Sequence, residues 1–514
     1  MAQRAGQSTP LPRSAAGSHN PWLIAVIVSL ATFMEVLDTT IANVSLRHIA
    51  GGLGSGQDES TWILTSYLIS NAIILPVSGW LSTLIGRKRF YMICVALFTF
   101  SSFMCALSTN LSMMLFFRVM QGLGGGGLAP TEQSIFADTF PPEKRAIAFA
   151  FYGITVIVAP AVGPFLGGWL TQTFSWHWVF LINLPVGIMS LLLIWFMVDE
   201  PQAVKDDTAA FRRTFVPDWL GFILVALTFG CLQVVLDRFQ QDDGFASMLI
   251  VLFFTVCVFS AVALVWWELQ HPQPVFDVRL FKVGSFASAN MVMFIAGFTL
   301  FSTTQLIPQL AQELLQYDVL QAGKTLAAGG IAAAVLMPFA GITASRVQPK
   351  WLIGGALITT GLAMIHAAHL NQLMSFWTLS LARAYQAMSL PFLFVSLTSA
   401  AYVGIPPAKN SEASAVINLS RNLGGSVGIS VANTLLAWRT QFHHVRLGEH
   451  FSVLDPRTAA FAHTLPAAQQ LVQPQAQMLS YLDIFWAFGV AAICASPLAL
   501  LLKRIPKGQP AHGH

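Results

Sequence analysis

The chain has 514 residues, of which 55% are apolar and only 10% charged, against about 25% charged in soluble domains. That balance excludes a soluble globular protein, because a soluble helix buries only one face and lipid must surround the remaining apolar surface. The formal net charge of +4 gives nucleic-acid binding no support.

Residues 1–20 are polar, carry Arg4 and Arg13 and lack an apolar core. They are predicted to form a disordered tail and not a cleavable signal, so the first apolar helix must direct insertion. From there, apolar runs of about 20 residues predict fourteen spans. The first six are Pro21–Leu46, Ser60–Thr83, Phe90–Leu107, Leu111–Phe136, Ala146–Leu170 and Trp176–Val198. Pro217–Leu236 and Ala246–Trp267 follow. The last six are Phe286–Leu310, Ala322–Ala344, Trp351–Ala368, Met374–Val403, Ala413–Ala437 and Leu482–Leu502. A long connection, 439–480, precedes the final span, and 503–514 form a second tail. The five cysteines lie inside apolar runs without metal-ligand spacing and read as packing residues. His443, His444, His450 and His463 read as solvated. No metal and no cofactor is expected.

Orientation follows the distribution of Lys and Arg. With the N-terminus in the cytoplasm, eighteen of the 27 basic residues fall on the cytoplasmic side, six on the other, and Arg118, Arg383 and Arg421 inside spans. An even number of spans with both termini inside satisfies this bias.

The chain also repeats itself. Pro76-Val-Ser-Gly79 in the second span matches Pro338-Phe-Ala-Gly341 in the tenth, 262 residues later. Arg118-Val-Met-Gln121 in the fourth matches Arg383-Ala-Tyr-Gln386 in the twelfth, 265 residues later. Six helices plus an inserted pair fill that offset. The predicted fold is therefore all-α: a six-helix bundle over 21–198, an inserted helix pair with flanking loops over 199–285, and a second bundle over 286–502.

An ionisable group at the bilayer centre costs at least about 2.5–3.5 kcal/mol on insertion scales, so each one needs a reason. Glu35 and Asp38 are three residues apart, on one face of the first span. Arg118 lies at the same depth as Asp38, roughly 10–12 Å below the external surface at 1.5 Å per residue. A carboxylate beside an arginine can be tuned between charged and neutral by small rearrangements, as proton coupling requires. A static ion pair locking two helices is the other reading, and the residues leave both open. Arg421, followed by Gly424, Gly425 and Gly428, reads as close helix packing, and Glu132 as interfacial. Gln305 and Gln309, beside Pro308, are polar candidates for a substrate cavity, as are Gln121 and Arg383. A nucleotide-driven pump is disfavoured, because the Gly122–Gly127 run has no following Lys-Ser/Thr.

Leu37-Asp38-Thr39-Thr40-Ile41-Ala42-Asn43-Val44, Gly79 to Gly86-Arg87-Lys88-Arg89, Arg118-Val-Met-Gln121-Gly122-Leu-Gly124, Gly163-Pro164-Phe-Leu-Gly167-Gly168 and Trp176-His-Trp178 to Asn183-Leu-Pro185-Val-Gly187 stand in order on successive helices. With them the chain resembles, from Pro21 onward, the fourteen-span drug:proton antiporters of the major facilitator superfamily, the EmrB/QacA type, with the EmrB subgroup nearest. Two departures stand out: Thr83 occupies the aspartate position of the loop motif, and Ala150 and Ala159 replace glycines upstream of Gly163.

The resemblance implies the major facilitator fold and a role for Asp38, Glu35 and Arg118 in proton coupling. Gly79, Gly86, Arg87, Gly163, Pro164, Gly167 and Gly168 would then govern conformational change. It further implies efflux of amphipathic drugs across the bacterial inner membrane, with no enzymatic activity. The partners implied are a periplasmic adaptor and an outer-membrane channel, which together form a tripartite pump. A narrow-substrate exporter, for fatty acids for example, or a nutrient symporter on the same fold are the alternatives.

Overall fold

The computed structural model describes residues 20–449 and 465–502, all helix and connecting turns without a strand among them. The expected tails lie, apart from Asn20, outside these residues, as do Arg457, His450 and His463. Eleven of the described helices are long and apolar enough to cross a membrane, which makes this a multi-pass membrane protein.

The first unit comprises α1 (Pro21–Leu53), the short α2 (Gln57–Ser60), α3 (Trp62–Ile85), α4 (Arg87–Ala106), α5 (Leu111–Gly125), α6 (Leu128–Thr139), α7 (Pro142–Thr173), α8 (His177–Leu181) and α9 (Asn183–Met197). After α10 (Gln202–Arg213) come α11 (Trp219–Arg238) and α12 (Met248–Glu268). The second unit comprises α13 (Gly284–Glu313), α14 (Val319–Arg346), α15 (Pro349–Ala367), α16 (Phe376–Ala387), α17 (Leu390–Ala401), α18 (Asn410–Gly448) and α19 (Leu465–Ala495). Side chains set many of these boundaries. Asn20 Oδ1 accepts from Trp22 N at the start of α1, and Asn110 Oδ1 from Met113 N at the start of α5.

Several of the fourteen expected spans are not single apolar helices: Trp176–Val198 is α8 and α9, and Leu482–Leu502 ends in a 3-10 turn over Ser496–Leu501. Leu111–Phe136 is α5 and α6, interrupted at Gly126 and Gly127; Met374–Val403 is α16 and α17, interrupted at Met388 and Ser389 ahead of Pro391. The two breaks fall at matching places in the repeat. Ala413–Ala437 lies within α18, which runs for 39 residues, about 58 Å at 1.5 Å per residue and far more than the roughly 30 Å hydrocarbon core. The expected external loop 439–480 is accordingly corrected: 439–448 continue α18 and 465–480 begin α19. Arg439 pairs with Asp483 at 2.5 Å and His443 Nε2 lies 2.7 Å from the same carboxylate, tying the two extensions together. The loop between 199 and 216 likewise holds a helix, α10, whose Arg212 donates to Leu84 O and Ile85 O and so caps α3.

The repeat is visible in how the units meet. A Cβ on Gly79 of α3 would lie 2.7 Å from Glu412 Cα at the start of α18, and one on Gly341 of α14 would lie 3.3 Å from Ile147 Cα near the start of α7. The matched motif glycines thus serve the same contact in each half. At the face where α1 begins, hereafter the N-face, polar bonds join the units: Asn418 Nδ2 to Gln133 Oε1 at 3.0 Å, Ser134 Oγ to Ser414 Oγ at 3.0 Å, and Asn410 Nδ2 to Asp138 Oδ1 at 3.0 Å. Apolar packing among Phe149, Tyr402, Met337 and Phe286 completes the closure there. α11 borders both units, through Arg238 Nη1 to Thr61 Oγ1 at 3.1 Å and Ser426 Oγ to Gln233 Oε1 at 3.1 Å. All five cysteines are free.

Candidate functional site

Depth arithmetic placed Asp38 and Arg118 level, and the structure joins them. Arg118 Nη1 donates to Asp38 Oδ2 at 2.8 Å, with Asp38 1% and Arg118 0% exposed. The pair has a built shell. Gln121 Nε2 donates to Asp38 Oδ1 at 3.1 Å and Asn183 Nδ2 to the same oxygen at 2.7 Å. Arg118 also donates from Nη1 to Gln121 Oε1 at 2.7 Å and from Nε to Ile63 O at 3.0 Å, and its guanidinium carbon sits 4.4 Å from the Tyr67 ring centroid. Ser102 Oγ accepts from Asn183 Nδ2 at 2.9 Å and fixes that amide. Three helices (α1, α5 and α9) therefore meet at the carboxylate, and α3 and α4 hold its partners Arg118 and Asn183 in place. Such a charge pair holds in a low-dielectric site only while every member is satisfied. Gln121, 0% exposed, belongs to this cluster.

Glu35, one turn away, has different partners. Tyr67 Oη donates to its Oε1 at 2.8 Å and Asn71 Nδ2 to the same oxygen at 3.4 Å; among the described residues no cation is bonded to it. The cluster fits because residue 125 is glycine: a Cβ there would lie 2.6 Å from Tyr67 Oη. Glu132 is not interfacial. It is fully buried, with Oε1 accepting from Ser29 Oγ at 2.6 Å and Oε2 without a partner. Arg421, expected to serve close packing, does so through its own backbone, which a Cβ on Gly297 would meet at 2.1 Å. Its guanidinium reaches Tyr152 Oη across the units.

The motif residues act where helices touch. A Cβ on Gly163 would lie 1.9 Å from Thr40 Oγ1 and one on Gly167 3.2 Å from Ile41 Cα, so the α7 stripe packs on α1 beside Asp38. Pro160 and Pro164 lie inside α7, where neither can donate to the helix. Gly168 faces Val319 of α14. Gly86 has φ +96°, a conformation that needs glycine. Arg87 N then donates to Glu200 Oε1 at 2.6 Å and the Arg87 side chain pairs with Asp138. An ion latch thus forms in spite of Thr83, through an aspartate on α6 that the sequence did not single out.

Gln305 and Gln309 line a cavity of about 690 Å³ at the far face, with Glu313, Asn433 and Gln477 among its walls. It lies between α11 and the second unit, bounded by α13, α18 and α19, and not between the two six-helix units. His444 also lines it. Arg383 is buried at 4% exposure beside Thr303 and Thr304 and does not line it. Among the described residues no group of His, Cys, Asp and Glu is placed to hold a metal ion.

Two helical units built on a repeat, meeting through glycine-packed helices, with a buried ion pair at the core of one, define a membrane transporter. Residues 28–429 match the Major Facilitator Superfamily. The chain is 34% identical over 478 residues to the multidrug export protein EmrB of Escherichia coli K12, covering 90% of this chain and 92% of that protein. It is 31% identical over 491 residues to the fatty acid resistance protein FarB of Neisseria gonorrhoeae, covering 93% and 96%. The human organic anion transporter MFSD10 shares the fold, with a TM-score of 0.60 at 15% identity over 92% of this chain and 100% of that one. The chain belongs to the major facilitator superfamily and, within it, to the EmrB-type drug transporters.

Proposed function

We propose that this protein is a proton-coupled exporter of amphipathic compounds, with fourteen crossings of the bacterial inner membrane and both termini in the cytoplasm. The observation that carries the reading is the buried Asp38–Arg118 pair with its Gln121 and Asn183 shell. Protonation of Asp38 would cancel its attraction to Arg118 and free the α1–α5 contact, changing the relative stability of the two access states. Glu35, hydrogen-bonded but not ion-paired, is a second proton carrier one turn toward the N-face. Substrate and proton then exchange in one cycle.

In this reading the N-face is cytoplasmic, which the threefold bias of basic residues supports. The polar bonds closing that face then describe an outward-facing state. The units 21–198 and 286–502 rock about the α3–α18 and α7–α14 contacts, with Gly79, Gly86, Arg87, Gly163, Pro164, Gly167 and Gly168 at the moving surfaces, while Gln305 and Gln309 would meet leaving substrate. The protein named for multidrug export supports drug substrates. The one named for fatty acid resistance favours a narrower lipid-like substrate as the second reading. The paired extensions of α18 and α19 offer a periplasmic adaptor a landing site, and beyond it an outer-membrane channel would complete a tripartite pump.

The test is ethidium export from energised cells carrying the protein. Export that a protonophore stops supports the reading; export of ethidium no faster than from cells without the protein removes drug efflux and leaves the narrower lipid-like substrate.

A further inference from the structure

The internal repeat maps the core of the ion-pair cluster, Asp38, Arg118 and Gln121, onto the second unit, and there the carboxylate is missing. At the 265-residue offset, Arg118 corresponds to Arg383, Gln121 to Gln386 and Asp38 to Thr303. Arg383 does meet Thr303: its Nη1 donates to Thr303 Oγ1 at 3.0 Å, and its Nη2 to Thr304 Oγ1 at 3.0 Å. The geometry of the first unit is thus kept while its carboxylate is replaced by a hydroxyl. Both hydroxyls are already engaged with their own helix, Thr303 with Thr299 O and Thr304 with Leu300 O. Neither supplies negative charge.

The consequence is a set of unsatisfied groups on one face of α16. Ser380, Arg383 and Gln386, spaced at successive turns, are each 4% exposed or less. Ser380 Oγ, Arg383 Nε and both Gln386 amide atoms have no partner, and among the described residues no carboxylate pairs with Arg383. A buried cation without a counter-charge, beside an idle amide, is unfavourable unless something else supplies the charge. The stem of Arg383 is accommodated because residue 329 is glycine, where a Cβ would lie 2.9 Å from Arg383 Cγ. Gln305, the residue after Thr304, lines the 690 Å³ cavity.

We infer that Arg383, Gln386 and Thr303 form a receiving site for the anionic head group, a carboxylate above all, of a transported amphiphile. This rests on the export reading and names a substrate class for it. The substrate's carboxylate supplies the charge that Asp38 supplies in the first unit and meets the Arg383 Nε and Gln386 donors that Thr303 leaves unpaired. Arg383 contributes charge-assisted bonds and the Gln386 amide a further donor. Binding then satisfies Arg383 Nε and the Gln386 amide together.

The test uses full-length protein in lipid nanodiscs and two probes of one shape, 4-butylbenzoate and 4-butylphenyltrimethylammonium, with affinities measured by calorimetry. Arg383→Gln is expected to lower the benzoate-to-ammonium affinity ratio about tenfold or more. Thr303→Asp, which recreates the first unit's arrangement, is expected to lower the ratio similarly while raising thermal stability, because the new carboxylate satisfies Arg383 internally. This second variant keeps the test valid should Arg383→Gln fold poorly. An unchanged ratio in Thr303→Asp would overturn the assignment, as would equal weakening of both probes in Arg383→Gln. Ethidium export that persists in wild type beside either result would sink the head-group site alone and leave the export reading standing.

Discussion

Replacing Asp38 by asparagine removes one charge from a site holding Arg118 at 0% exposure. The carboxylate accepts three bonds, from Arg118 at Oδ2 and from Gln121 and Asn183 at Oδ1. An amide offers one oxygen and one NH2, so either Arg118 or the two amides would face a donor. Asn183 is held as a donor by Ser102, whose hydroxyl proton goes to Phe180 O, and Gln121 Oε1 is already committed to Arg118. Breaking a buried pair on one side costs about 3–5 kcal/mol, chiefly from the stranded charge. We expect Asp38→Asn and Arg118→Gln each to lose about that much in SDS-induced unfolding of the purified protein. The double variant, with neither charge, should lose clearly less than the sum, a coupling of at least about 2 kcal/mol. If both single variants unfold within about 0.5 kcal/mol of wild type, or the losses simply add, the pair is not an energetic keystone of the first unit.

Other expectations follow from the same geometry. Glu35→Gln keeps an oxygen for Tyr67 Oη, so its unfolding free energy should shift by no more than about 1 kcal/mol while proton-driven export falls at least tenfold; equal export would remove Glu35 from the coupling path. Gly424→Ala places a Cβ 2.0 Å from Phe294 O, an overpacking of about 1–3 kcal/mol that should appear in unfolding curves. Gly355→Ala, inside α15 with nothing within 4 Å, should instead stabilise by about 0.5–1 kcal/mol. Asp483→Asn loosens a half-exposed pair with Arg439, worth no more than about 1 kcal/mol, and transport in vesicles should be unchanged.

The sequence carried the fold because apolar length and repeat offset are properties of membrane crossing itself. It carried Asp38 and Arg118 because charge is rare there and depth can be counted. Asn183 stood inside a quoted motif but has no charge to mark it, and only the fold brings α9 to α1. Glu132 was misplaced because the span was ended at Phe136, whereas α6 continues to Thr139 and buries the carboxyl against Ser29. The extensions of α18 and α19 escaped because hydropathy reports depth and not helicity. From Trp438 to Leu447 there is neither glycine nor proline, the signal that could have extended the helix. The cavity beside α11 depends on tertiary placement, and no local pattern encodes it.

The most direct test of the central claim is antiport in proteoliposomes made acid inside, with internal DNA to report ethidium and a trapped pH dye. The account predicts gradient-dependent ethidium accumulation with matching internal alkalinisation, both abolished in Asp38→Asn. Ethidium entry that ignores the gradient, or that moves no protons, would contradict it.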